Sequence, residues 1–162
     1  MPEGCCVPVA CAVPAVGAGD CPGCHYRGRQ VALLTVQAQV AISLRVLGPS
    51  PYHFCATPGC EVVYYAAGSP PILRRQMREQ VFQKEHTPDV LVCYCFRYSL
   101  DMLQRSDEVG RAAILADIIA GTRQGQCACE LRNPQGSCCL GNVRRLLRDD
   151  EPIADKKTEG LA

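Results

Sequence analysis

Three close pairs of cysteines in the second half of the chain constrain its fold more than any other feature. The pairs are Cys93 and Cys95, Cys127 and Cys129, and Cys138 and Cys139. Two cysteines separated by one residue do not easily close a disulfide with each other, but they can present two thiolates to one metal centre. We therefore expect this region to bind a soft metal through its thiolates.

The cysteine content of the whole chain supports the same interpretation. Thirteen of the 162 residues are cysteine, a content that indicates a fold held together by disulfides or by metals. Because thirteen is odd, the cysteines cannot all pair within one chain. The first twenty residues lack the basic start of a secretory signal, and prolines interrupt any long apolar helix there. We predict a cytoplasmic, metal-binding protein without a membrane span.

The charge of the chain disfavours binding to nucleic acid. The net charge is +1, and the basic residues are dispersed except at Arg74–Arg75 and Arg144–Arg145, so no extended positive surface is predicted for contact with phosphates. The sequence also lacks paired carboxylates, a phosphate-binding loop and a nucleophile motif, and His86 is interpreted as a surface residue. These patterns do not predict an enzyme.

Composition divides the chain into four segments. We predict a flexible arm over residues 1–20, a zinc-binding unit over 21–88, a second cysteine-rich unit over 89–149 and a flexible tail over 150–162. The arm contains Cys5, Cys6 and Cys11, which are interpreted either as incidental thiols or as a transient metal acceptor.

Local patterns in both units predict a small α+β protein. In the first unit we expect strands near residues 30–34, 52–55 and 61–66, and a helix that is capped by Thr35 and ends at Gly48-Pro49. In the second unit we expect a helix capped by Ser99, an amphipathic helix over 109–120 ended by Gly121, and a last helix over 140–147. The fold class is thus a zinc-ribbon-like, β-rich unit packed on a helical unit.

The first unit contains two turns that each carry two thiols. Cys21 and Cys24 are separated by two residues, whereas Cys55 and Cys60 are separated by four. Four thiolates suit tetrahedral Zn²⁺ and leave no open position for water, which predicts a structural zinc site. His25 and His53 lie beside these turns and are alternative ligands.

The second unit favours an iron–sulfur cluster. Cys93 and Cys95, together with two thiols from the later pairs, would supply the four cysteine ligands of a 2Fe–2S centre. If Cys93 and Cys95 lie on one strand, their side chains project to the same side, and both are expected to bind one iron. The same thiols could instead hold a second zinc.

Several motifs carry a resemblance to a known family. They are Val92-Cys93-Tyr94-Cys95-Phe96, the run from Cys129 through Asn133-Pro134-Gln135-Gly136-Ser137 to Val143, the turn Cys21-Pro22-Gly23-Cys24, and the segment from Phe54-Cys55 to Cys60-Glu61-Val62-Val63-Tyr64. With these motifs the chain resembles the zinc- and 2Fe–2S-containing N-terminal domain of CopZ-type copper chaperones. The second half is also similar to bacterioferritin-associated ferredoxin.

This resemblance implies a set of ligands. It implies zinc on Cys21, Cys24, Cys55 and Cys60. It implies the 2Fe–2S cluster on Cys93, Cys95, Cys129 and Cys139, with Cys127 and Cys138 as alternates.

The resemblance also implies a function. The protein would be a one-electron redox module in copper trafficking, would bind Cu⁺ transiently, and would work with a copper-handling protein or redox partner. The Met-x-Cys-x-x-Cys loop of the chaperones does not occur in this sequence, so a partner, or the thiols of the arm, would have to supply the copper site. The alternative is a zinc-stabilised protein-interaction module without redox activity.

Overall fold

A computed structural model describes residues 19–49 and 51–149 of the chain, without the side chain of Asp149. The predicted arm, apart from Gly19 and Asp20, and the predicted tail lie outside these residues. The predicted α+β class is confirmed, since an antiparallel sheet in the first half is followed by a helical region that contains cysteines.

A four-stranded antiparallel sheet forms the first half. Its strands are β1 (Arg29–Val31), β2 (Tyr52–Phe54), β3 (Val62–Tyr65) and β4 (Ile72–Leu73), in that spatial order. Every residue of β3 is buried, as expected for a run of β-branched and aromatic residues at the centre of a sheet. Phe54 pairs with Tyr64 across β2 and β3. The segment that joins these two central strands therefore begins and ends at the same end of the sheet.

The first helix is shorter than predicted and begins at a different residue. Helix α1 spans Leu33–Gln39, with Ala32 at its N-terminus, so the prediction that Thr35 caps a helix ending at Gly48-Pro49 is wrong. Thr35 is buried inside the helix. The helix stops because Val40 is extended and forms a β-bridge with Met77. This long-range pairing overrides the helical pattern of the following residues.

Up to residue 149, the second half combines a two-stranded ribbon with four helices. Strand β5 (Leu91–Cys93) pairs antiparallel with β6 (Tyr98–Ser99). The helices are α2 (Leu100–Arg105), α3 (Glu108–Arg123), α4 (Cys129–Arg132) and α5 (Leu140–Asp149). The predicted cap is confirmed, since the Ser99 hydroxyl accepts a hydrogen bond of 3.3 Å from the backbone N–H of Met102.

Helix α3 does not end at Gly121, as the sequence predicted, but continues to Arg123. A Cβ atom at position 121 would lie 2.4 Å from Cζ of Phe96. This glycine therefore serves close packing against the turn that carries Cys95, and it does not terminate the helix. Gly125, which has a φ of 70°, follows the actual end of the helix.

The two halves contact each other through α1 and the loop around α4. The Gln39 amide donates a hydrogen bond of 2.6 Å to the carbonyl oxygen of Leu131, and the buried Tyr64 hydroxyl donates to the carbonyl oxygen of Pro134. Because these bonds join residues far apart in sequence, they fix the loop that contains the last cysteines against the sheet. Within the described part of the chain, no helix is both long and apolar enough to cross a bilayer.

Candidate metal centres

Four cysteine sulfurs from the first half converge on one point. The ligand atoms of Cys21, Cys24, Cys55 and Cys60 all lie within 4.8 Å of one another. Two of the sulfur–sulfur distances are 3.8 Å, between Cys21 and Cys60, and 3.6 Å, between Cys24 and Cys55. A tetrahedron with metal–sulfur bonds of about 2.3 Å has sulfur–sulfur edges of about 3.8 Å, so the set is spaced for tetrahedral zinc.

The antiparallel sheet explains how these four residues meet. Cys55 follows β2 and Cys60 precedes β3, so both lie in the loop that joins these two strands. The other two cysteines belong to the turn before β1, in which the backbone N–H of His25 donates to the carbonyl oxygen of Cys21 at 2.8 Å. A turn and a strand connection therefore each contribute two sulfurs.

Neither neighbouring histidine belongs to this group of four sulfurs. His53 stacks on Tyr65, with ring centroids 5.5 Å apart. His25 is exposed and adopts a φ of 62° in the turn. The structure thus brings together the four predicted cysteines, and neither histidine is one of the ligands.

The thiols of the first centre have different pKa values because their surroundings differ. Burial raises the pKa of Cys21 to about 12, although backbone N–H groups of the turn oppose the effect. Burial also acts on Cys24, but hydrogen bonds with the Thr57 hydroxyl, the backbone N–H of Tyr26 and neighbouring thiols outweigh it and lower the pKa of Cys24 to about 6. Cys24 is therefore the thiol of this site that deprotonates most readily, and zinc binding displaces the protons of the other thiols.

A buried lysine beside this centre was not predicted from the sequence. Lys84 is 6 % exposed, and its ammonium donates to Cys55 Sγ at 3.3 Å and to the carbonyl oxygen of Thr57 at 3.0 Å. Four thiolates around Zn²⁺ leave excess negative charge, which a nearby ammonium compensates. The apolar neighbours Val81 and Phe82 could have indicated that Lys84 is buried, and a buried lysine needs a polar partner.

The cysteines of the second half form two separate pairs. Cys95 Sγ lies 3.8 Å from Cys129 Sγ, while the thiols of Cys93 and Cys139 are near enough to shift each other's pKa. Among the described residues, no three sulfurs of this half all lie within 4.8 Å of one another, as the four sulfurs of the first half do. The arrangement is thus two pairs of thiols, each of which joins the Cys93–Cys95 turn to a later loop.

The position of Cys95 differs from the one that the prediction assumed. Strand β5 ends at Cys93, and Cys95 lies in the turn before β6, where Arg97 adopts a φ of 63°. The backbone N–H groups of Cys95 and Phe96 point at the Cys93 sulfur. Cys93 and Cys95 therefore do not lie on one strand, as the prediction assumed, and their binding to one iron stays a prediction.

The pKa values of these thiols reflect their pairing. The interaction with the Cys139 thiol, assisted by the N–H groups of the turn and opposed by burial, lowers the pKa of Cys93 to about 7. The same interaction, together with burial, raises the pKa of Cys139. Burial also raises the pKa of Cys129, and the neighbouring thiols Cys95, Cys127 and Cys138 add to that effect. Cys93 is thus the readiest of these three thiols to become a thiolate.

Comparison with known proteins identifies the architecture. A family model described as a zinc binding domain of the CopZ type matches residues 18–78. The solved structure of the Archaeoglobus fulgidus CopZ N-terminal domain is similar, with 30% sequence identity and a TM-score of 0.59, and the match covers 78% of this chain and 96% of that one. The chain belongs to the family of the CopZ N-terminal domain.

This membership assigns the first centre. The matched zinc binding domain contains all four converging cysteines, so the four-cysteine cluster is a zinc site. A comparison with curated protein sequences found no match.

Proposed function

We propose that Cys93, Cys95, Cys129 and Cys139 bind a 2Fe–2S cluster and that this CopZ-like protein is a one-electron redox module in copper handling. The arrangement of the second-half sulfurs in two pairs is the observation that carries the proposal. A mononuclear zinc site needs four sulfurs around one point, whereas a 2Fe–2S cluster needs two thiolates on each of two irons.

The spacing of the measured pair fits this donor set. The 3.8 Å between Cys95 Sγ and Cys129 Sγ equals the edge expected for two thiolates on one metal with bonds of about 2.3 Å. Cys139 and Cys93 are buried, whereas Cys95 and Cys129 are half-buried. One pair is therefore shielded from water, and the other lies closer to the surface, where a redox partner would exchange electrons.

Backbone N–H groups stabilise negative charge on the sulfurs of both pairs. The N–H of Ala128 donates to Cys95 Sγ at 3.3 Å, and those of Cys95 and Phe96 point at Cys93. Such hydrogen bonds support thiolates and tune the potential of any cluster that they hold. The 3.8 Å contact of Cys95 with Cys129 and the interaction of Cys93 with Cys139 support the choice of Cys129 and Cys139, with Cys127 and Cys138 as alternates.

The chemistry suited to copper follows from the donor set. When bound, a 2Fe–2S cluster accepts and gives up one electron at a time, and one electron converts Cu²⁺ to Cu⁺. Cu⁺ prefers soft thiolate ligands, so reduction prepares the ion for transfer to a cysteine-containing copper protein. The similarity to the CopZ N-terminal domain supports copper as the cargo. The zinc site, closed by four thiolates, is structural.

The test is anaerobic reduction of Cu²⁺ by the dithionite-reduced protein after removal of excess reductant. We expect about one Cu⁺ per cluster, captured by a Cu⁺-specific chelator, and loss of the reduced-cluster paramagnetic resonance signal in step. Protein with an oxidised cluster measures the background reduction by free thiols. A Cys95→Ser variant should lose the cluster and keep its zinc. Equal Cu⁺ yields from the reduced and oxidised proteins would reject the redox role and favour a zinc-stabilised interaction module.

A further inference from the structure

We propose that Cys127 and Cys138 together form a thiolate site for a cuprous ion next to the cluster-binding thiols. The inference rests on the proposed function and specifies where the copper is held. It concerns the two described cysteines that belong neither to the four-cysteine zinc site nor to the two thiol pairs of the second half.

A shared cavity brings the two residues together. Both line a cavity of about 530 Å³, which Cys129 also lines. The thiols of Cys127 and Cys138 both act electrostatically on the Cys129 thiol, in keeping with the cavity that all three residues line. The volume is in the range of small-ligand pockets, which leaves room for a metal-bearing side chain of a donor protein.

Hydrogen bonds hold the backbone next to both cysteines, so their positions are ordered. Ala128, next to Cys127, donates its N–H to Cys95 Sγ at 3.3 Å. The carbonyl oxygen of Cys138 accepts a hydrogen bond of 3.0 Å from the Gln135 amide. Cys138 itself is exposed and Cys127 is half-buried. An ion arriving from solvent thus meets the Cys138 thiol first.

The chemistry of the cavity favours a soft cation. Besides its three cysteines, the lining residues include Glu130, Thr122 and Ser137. No lysine or arginine lines the cavity, although Arg29 donates to the Ser137 hydroxyl at 2.7 Å. The one nearby guanidinium is held at the Ser137 side of the cavity, and two thiolates suit a soft cation such as Cu⁺. Binding converts two thiols and one Cu⁺ into a bis-thiolate complex and releases two protons, so the step needs no oxidant or reductant.

The position beside Cys129 gives this site a role in the proposed reaction. Cys129 is a proposed ligand of the cluster and a wall of the cavity. Copper held by Cys127 and Cys138 would therefore lie next to the electron source, and the Cu⁺ that forms would already have its preferred ligands. The exposed Cys138 would then be the thiol that a receiving protein attacks.

The experiment is an anaerobic Cu⁺ titration against a competing Cu⁺ chelator, in a Cys5→Ser, Cys6→Ser, Cys11→Ser background. This background removes the three thiols of the N-terminal segment. We expect one tightly bound Cu⁺ per chain, its loss in C127S/C138S, and at least tenfold weaker binding in each single variant, because each removes one of two thiolates. A Tyr26→Phe variant, at a residue that is 69% exposed and does not line the cavity, is the control and should keep its Cu⁺ binding.

Iron and zinc contents separate the possible failures. Unchanged Cu⁺ binding in C127S/C138S, with iron and zinc retained, would overturn this inference and leave the redox proposal standing. Loss of iron in C127S/C138S would also overturn it, because the two cysteines would then be cluster ligands. If the parent chain contains no iron, the redox proposal fails, and the Cu⁺ stoichiometry still decides whether the thiol pair binds copper.

Discussion

The ammonium nitrogen of Lys84 lies 3.3 Å from the sulfur of Cys55, although Lys84 belongs to neither of the turns that carry the zinc-site cysteines. The same ammonium donates to the carbonyl oxygen of Thr57, inside the loop between Cys55 and Cys60. A cation so placed reduces the negative charge of a zinc tetrathiolate and orders the loop that holds half of its ligands.

Replacing Lys84 should weaken zinc binding while the four cysteines keep their arrangement. For Lys84→Met we expect zinc affinity to fall about 10–100-fold, the range typical of outer contacts to metal ligands. The measurement is the equilibrium zinc occupancy against a chromogenic chelator. Lys84→Arg keeps the charge and is the control, which should retain most of the affinity. Equal affinities in Lys84→Met and the parent chain would show that the contact does not support the metal.

The segment that carries Lys84 also supports the turn between Cys93 and Cys95. The hydroxyl of Tyr94 donates to the carbonyl oxygen of Gln80 at 2.7 Å and accepts from the N–H of Phe82 at 3.0 Å. Tyr94 is 4% exposed, so water cannot readily replace these bonds. The zinc site and the cysteine turn thus contact the same short stretch of chain.

Removing the Tyr94 hydroxyl should destabilise this connection. Tyr94→Phe leaves two backbone groups without their partner, and we expect a loss of about 1–3 kcal/mol in the free energy of unfolding. Chemical denaturation measures it. Tyr26→Phe is the control, because Tyr26 is 69% exposed, and its stability should stay within about 0.5 kcal/mol of the parent. Equal stabilities of the two variants would show that the buried hydroxyl contributes nothing.

Gly121 provides a steric test of the packing around the second centre. A Cβ there would lie 2.4 Å from Cζ of Phe96, the residue after Cys95. Gly121→Ala should therefore cost about 1–3 kcal/mol through overpacking and disturb the cysteine turn.

Gly141→Ala is the matched control for this substitution. It also lies in a helix, but its Cβ would meet no atom within 4 Å, so it should stabilise the protein by about 0.5–1 kcal/mol. Thermal unfolding compares the two. A tolerated Gly121→Ala would contradict the close approach of Phe96.

The sequence predicted those features that depend on local chemistry. The β-branched and aromatic run at Val62–Tyr65, the Ser99 cap and the four cysteines of the zinc site all appear as expected. Each of these follows from side-chain type and short spacing, and the CopZ resemblance was confirmed by the family and structure comparisons.

Features set by distant contacts could not be predicted. The bridge between Val40 and Met77 ends α1 early, and the ring of Phe96 explains a glycine that resembled a helix terminator. The partners of Lys84 are about thirty residues away. The 2Fe–2S ligands stay a prediction, although the turn after β5 pairs Cys95 with Cys129 in a way that strand periodicity did not indicate.

The most direct test of the central claim is metal analysis combined with electron paramagnetic resonance of anaerobically prepared, dithionite-reduced protein. The account predicts two irons and one zinc per chain and a signal from a reduced 2Fe–2S centre, which Cys95→Ser abolishes while zinc is retained. Two zinc ions per chain, no iron and no signal would contradict it.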